Sequence, residues 1–131
     1  MRIARDLLDQ MIDHARRDAP DECCGVVGVR DGRATRVLPV KNEAASPLKF
    51  EMGIELFYAL ESIDEAGEEL GAIYHSHTRT FPYPSQTDIN WSGQYPGVEW
   101  VIVGLEGGEA LVRSYVIDAG GTVEEVPVEV T

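Results

Sequence analysis

Leu70-Gly71-Ala72-Ile73-Tyr74 runs without a break into His75-Ser76-His77, and the fold is read outward from this segment. Its first five residues are apolar with no polar alternation, as expected of a central strand covered on both faces. Upstream, Leu56, Phe57, Leu60 and Ile63 recur at helical spacing from about Ile54, and Gly67 marks the end of that helix. Residues 41–47 read as loop, and Leu48–Met52 as a short strand. Earlier still, Cys24, Val26, Val27 and Val29 suggest a strand, Asp31-Gly32 a hairpin turn and Ala34–Val40 the return strand. Residues 5–17 place Leu7, Leu8, Met11, Ile12 and Ala15 on one side of an amphipathic helix that Pro20 ends, with His14 on the polar, solvated side.

Downstream of His77, a loop carrying Pro82 and Pro84 leads to Ser85, and Gln86–Trp91 forms a short helix. Val98–Leu105, Ala110–Ile117 and Val123–Val130 are β segments, with a turn at Asp118–Gly121 and Pro127 at a sheet edge. Helices interleaved with strands around a buried central one give an α/β fold class. The expected architecture is a single layered domain over residues 1–131, its mixed central β-sheet flanked by helices and antiparallel after residue 98.

Composition narrows the function. The 131 residues carry 11 Lys+Arg against 23 Asp+Glu, a formal charge of −12. A chain that repels phosphates points to no nucleic acid partner. No apolar run is long enough to cross a bilayer and no basic, apolar-cored leader opens the chain, so a cytoplasmic protein with no membrane partner is expected. Cys23 and Cys24 are neighbours, unable to staple distant parts of a fold, and read as reduced, buried thiols rather than metal ligands.

Histidine occurs three times, and two copies stand at i and i+2 at the end of the central strand. Strand side chains alternate, so His75 and His77 project the same way, roughly 7 Å apart, where one ion can accept a nitrogen from each. Ser85 and Asp88 complete the pattern His-x-His-x₇-Ser-x₂-Asp. With Asp88 as a third ligand, the set leaves one position open for water, the arrangement of catalytic rather than structural zinc. Ser85-x-x-Asp88 also reads as a helix capping box. The two readings compete for one carboxylate, and the joint pattern favours the metal. Trp91, Tyr95 and Trp100 read as core packing.

These residues resemble the JAMM (MPN-plus) metalloprotease signature, whose members remove ubiquitin or ubiquitin-like proteins from amines. Pro20-Asp21-Glu22-Cys23-Cys24-Gly25 is similar to the segment that carries the family's catalytic glutamate, which falls on Glu22. Tyr74–Thr78 and Tyr83-Pro84-Ser85 are most similar to compact bacterial members. The resemblance implies a JAMM/MPN, cytidine-deaminase-like fold and one zinc ion with a bound water, held by His75, His77 and Asp88. It further implies Glu22 as general base and then acid, and Ser85 as oxyanion donor. The implied partner is a ubiquitin-like sulfur-carrier protein with a C-terminal Gly-Gly, cut after the glycine to release cysteine. Thr78 stands where many eukaryotic relatives have proline, and the connections are too short for the insertions that grip ubiquitin chains. An isopeptidase acting on protein lysines fits the same residues. A silent scaffold fits less well, because inactive relatives lack the ligands kept here.

Overall fold

The apolar runs on either side of Asp31-Gly32 form the expected antiparallel hairpin in the computed structural model, which describes Met1–Thr131. In chain order the first half contains β1 (Arg2–Ile3), α1 (Arg5–Asp18), β2 (Cys24–Arg30), β3 (Arg33–Val40) and α2 (Ile54–Glu65). The second half contains β4 (Glu69–His77), α3 (Gln86–Ser92), β5 (Glu99–Gly104), β6 (Leu111–Ile117), β7 (Val123–Val126) and β8 (Glu129–Val130). All strands join one sheet in the order β7-β6-β5-β4-β2-β3-β1-β8. β4 lies at its centre, antiparallel to β2 and parallel to β5, so the sheet is mixed as expected.

The final β segment is not continuous. It breaks at Pro127 and Val128 into β7, which pairs with β6, and β8, which pairs with β1 at the opposite end of the order. A flat eight-stranded sheet would measure about 34 Å across its strands at about 4.8 Å per step. Two intervening residues cannot span that distance. The sheet therefore curls until its two edges face each other. Pro127 sits where the chain changes partners, the position at which a missing N–H costs least.

Alternation along the strands sorts the core into two faces. Cys23, Val27, Ala72, Tyr74, Val101 and Val103 meet Leu8, Met11 and Ala15 of α1 on one face. Cys24, Val26, Ile73 and Trp100 meet Leu56 and Ile63 of α2 on the other, with Ile89 and Trp91 packed alongside. His75 and His77 follow Ile73 by even steps and so belong to the second face, the one shared with α3.

Three expectations are corrected. Leu48–Met52 is not a strand; an isolated bridge between Asn42 and Met52 is its only ladder contact. Phe57 is exposed, because the buried face of α2 runs through Leu56, Ala59, Leu60 and Ile63, and Phe57 lies about 100° round the helix from Leu56. His14 is buried rather than solvated: it stands three residues after Met11 and one before Ala15, within the stripe that packs on the sheet. Its Nδ1 lies 2.8 Å from the Tyr74 hydroxyl and its Nε2 3.1 Å from Asp18 Oδ2. No helix is long and apolar enough to cross a membrane.

Two outcomes follow from this packing. A Cβ at Gly25 would overlap the ring of Tyr74, which is fully buried. Gly25→Ala is therefore expected to cost about 1–3 kcal/mol, read as a lower urea midpoint at constant slope. Burial lowers the pKa of His14 from 6.5, against the pull of Asp18, so the unfolded chain binds its proton more readily than the folded one. The stabilisation tied to neutral His14 is complete above that ordinary value and shrinks as pH falls through it. The stability gap between wild type and His14→Gln should thus narrow from about pH 8 to about pH 5; a gap that widens would contradict this assignment.

Candidate active site

Three side chains from two elements converge at the end of β4. His75 is fully buried and stacks against Phe50, ring centroids 4.5 Å apart and planes inclined by 28°. His77 Nδ1 lies 3.2 Å from the Phe81 carbonyl oxygen, so Nδ1 carries the donated proton and Nε2 presents its lone pair. The two Nε2 atoms face each other at 3.1 Å. Asp88 Oδ2 stands 3.2 Å from His75 Nε2 and 3.5 Å from His77 Nε2.

These spacings are those of a metal's ligands. Donors bound at about 2.0–2.1 Å in a tetrahedron around zinc lie about 3.3 Å from one another. The three observed separations bracket that value. His75, His77 and Asp88 also form the one group of ionisable side chains arranged to hold a metal ion. His75 Nδ1 is buried with no hydrogen-bond partner, leaving Nε2 as that ring's only interacting nitrogen.

The expected competition for Asp88 does not arise. The capping box is complete: the Ser85 N–H donates to Asp88 Oδ2 at 2.8 Å, and the Asp88 N–H donates to Ser85 Oγ at 3.1 Å. The same Oδ2 faces both imidazoles, because a carboxylate oxygen has lone pairs for a backbone donor and for a second partner. The cap therefore aims the carboxylate instead of consuming it. Ser85 Oγ uses a lone pair on the cap, which leaves its hydroxyl proton free to donate.

Glu22 reaches the site through strand pairing. Cys24 is the partner of His75, and the pairing continues past the end of β2 as Ser76 N–H donates to the Cys23 carbonyl at 3.1 Å. The Cys23 N–H donates in turn to Ser76 Oγ at 2.8 Å. Two residues before Cys24, Glu22 thus stands opposite His77. Its backbone is fixed from the other side, where its N–H donates to Ser46 and its carbonyl accepts from Asn42 Nδ2 at 2.9 Å. Glu22, His77, Ser85, Asp88, Phe50 and Trp91 all line one cleft of about 200 Å³.

Burial pushes the Glu22 carboxyl up to about 7, with the Asp88 charge adding and the His77 side chain opposing. Burial also lowers His75, only partly offset by Asp88, and keeps that ring neutral. His77 moves the other way: burial is outweighed by Asp88, the Phe81 carbonyl and the Glu22 charge. Asp88 is held well below the usual carboxylate range; burial opposes this, but the two imidazoles and the Ser85 amide prevail. The Cys23 and Cys24 thiols are free, buried and pushed by that burial up to about 12, which suits packing and not coordination.

Sequence reasoning missed Phe50, Asn42 and the Phe81 carbonyl. Asn42 and Phe50 lie in what read as a loop and a strand respectively, and no local pattern marks a ring that stacks on a histidine 25 residues away in the chain. Trp100 is buried core as expected, whereas Trp91 is half-buried and joins Phe50 and Trp100 at ring distances of 5.4 and 5.7 Å.

Comparison with known proteins agrees with this geometry. The CysO-cysteine peptidase of Mycobacterium tuberculosis is 38% identical over 135 residues, covering 98% of this chain and 89% of the relative. A desampylase of Haloferax volcanii is 37% identical over 113 residues, covering 80% and 81%. The solution structure of a Desulfitobacterium hafniense protein superposes with a TM-score of 0.87 at 29% identity, covering 99% of this chain and 92% of that one. The crystal structure of a JAB1/MPN domain protein from Archaeoglobus fulgidus shares the fold, with a TM-score of 0.66 at 22% identity over 100% and 99% of the chains. The family model describing prokaryotic homologs of the JAB domain matches residues 4–118, and the chain belongs to this JAB, or JAMM, family.

Proposed function

We propose that this JAMM-family hydrolase is a zinc-dependent peptidase, acting as one unit over residues 1–131, that cuts the amide after the C-terminal Gly-Gly of a ubiquitin-like sulfur-carrier protein and releases cysteine. The observation that carries the reading is the tetrahedral spacing of His75 Nε2, His77 Nε2 and Asp88 Oδ2 beside a cleft that His77 and Asp88 line together with Glu22 and Ser85. The name of the Mycobacterium tuberculosis relative supports the substrate class. The desampylase relative favours a second reading, an isopeptidase that removes ubiquitin-like modifiers from protein lysines.

His75, His77 and Asp88 would hold the ion, with the Phe81 carbonyl fixing the His77 tautomer. Bound zinc supplies Lewis acidity, which lowers the pKa of a water to about 7 and polarises a carbonyl. Glu22, on the wall of the cleft, takes a proton from the attacking water and returns it to the departing nitrogen. In balance, the bond between the glycine carbonyl carbon and the next nitrogen breaks, the water's oxygen ends on the glycine carboxylate and both of its protons leave on the amine, which departs as an ammonium. Ser85 donates its free hydroxyl proton to the developing oxyanion, a contact typically worth about 10²–10³ in rate. A glycine tail suits the site because it carries no side chains to obstruct a narrow cleft.

Two variants separate binding from turnover. His77→Ala should fail to retain stoichiometric zinc, and full zinc occupancy in that variant would remove His77 from the ligand set. Glu22→Gln should keep its zinc while losing about 10²–10⁴ in rate, and normal hydrolysis by it would remove Glu22 from the reaction. The substrate is tested with a Gly-Gly carrier bearing either a C-terminal cysteine or an isopeptide-linked lysine, products being read by mass spectrometry. The peptidase reading predicts release of cysteine as the faster reaction. Cleavage of the lysine conjugate alone would establish the isopeptidase instead.

A further inference from the structure

The charged lining of the cleft is unlike the rest of the molecule. Acids outnumber bases 23 to 11 in the chain, yet the cleft's only acids are Glu22 and Asp88, both already assigned. Its remaining charged residues are two cations, Lys49 and Arg79. Lys49 Nζ is paired with Glu51 Oε1 at 3.4 Å. Arg79 makes no ion pair and is exposed, with its guanidinium uncommitted.

Its position is fixed on one side. Arg79 follows His77 by two residues, and between them the Thr78 hydroxyl donates to the Pro20 carbonyl at 3.1 Å. That bond ties the start of the loop to the segment leading into Glu22, so the arginine leaves the backbone beside the reacting groups.

We propose that Arg79 is a specificity-determining residue that binds the free α-carboxylate of the amino acid released, making the enzyme selective for a single C-terminal residue after Gly-Gly. The inference rests on the peptidase reading given above. The chemistry is one of distance. In a terminal residue the carboxylate carbon is two bonds from the scissile nitrogen, so the charge enters the cleft together with the bond to be cut. An isopeptide-linked lysine presents four methylenes there, and the main chain beyond them carries no free carboxylate. A planar guanidinium offers two parallel N–H donors to a carboxylate, in a geometry an ammonium cannot reproduce.

The test uses a zinc-loaded enzyme and a ubiquitin-like carrier ending in Gly-Gly-Cys, prepared as the free acid and as the C-terminal amide. The wild type is expected to favour the acid at least tenfold in kcat/KM, and Arg79→Gln to bring that ratio close to one. Arg79→Lys should recover part of the preference. Affinities of the two carriers for Glu22→Gln, with and without Arg79→Gln, should show the same ratios where no turnover occurs. Equal cleavage of acid and amide by the wild type would overturn the inference alone. So would a loss in Arg79→Gln that is the same for both substrates. Failure of the wild type to cut either carrier would overturn the peptidase reading, and this inference with it.

Discussion

A single oxygen atom, Asp88 Oδ2, joins local backbone structure to the chemistry of the cleft. It closes the N-terminal cap of α3 by accepting the Ser85 amide at 2.8 Å, and the same atom faces His75 and His77 across 3.2 and 3.5 Å. A carboxylate buried without partners would be costly and would tend to take up a proton. Here the Ser85 amide donates to it and favours the ionised form, and the cap holds it still. Loss of the cap would thus cost more than helix stability, because it would release the one member of the His75, His77 and Asp88 group that does not sit on the sheet.

The other groups depend on strand register. β4 is covered by a helix on each face, which excludes water from Tyr74 and His75 and leaves only the end of the strand open. His75 and His77 share a face because a strand repeats every two residues, and the pairing of Cys24 with His75 carries Glu22 to the same end. A slip of one residue between β2 and β4 would turn Glu22 to the α1 side. The paired bonds between Cys23 and Ser76 lock that register just where it matters. Curling of the sheet, imposed by the two-residue link between β7 and β8, completes the scaffold without adding a residue to the site.

Most of the frame was legible because it is written in short-range patterns. Unbroken apolarity marked β4 as central, Asp31-Gly32 marked the hairpin, and helical spacing marked α1 and α2. The convergence of His75, His77 and Asp88 was legible for the same reason, as two of them share a strand and the third opens the next helix. What escaped notice depends on contacts made only in three dimensions. His14 looks polar in isolation, yet it satisfies a buried Tyr74 hydroxyl from the opposite element. Phe57 is as apolar as Leu56 but points away from the sheet. Phe50 stacks on His75 from a segment whose alternation imitates a strand. The break at Pro127 depends on where each half of the segment finds a partner, information that lies in β6 and β1. Capping and an approach to the two imidazoles appeared exclusive for Asp88 only when each carboxylate oxygen was allowed a single partner.

The central claim, that two imidazoles and one carboxylate hold the ion, is tested most directly by X-ray absorption at the zinc edge on the zinc-loaded protein. The account predicts a four-coordinate centre with nitrogen and oxygen donors only, at about 2.0–2.1 Å, and outer-shell scattering from two imidazole rings. A sulfur shell near about 2.3 Å, or an oxygen-only shell with no imidazole scattering, would contradict it.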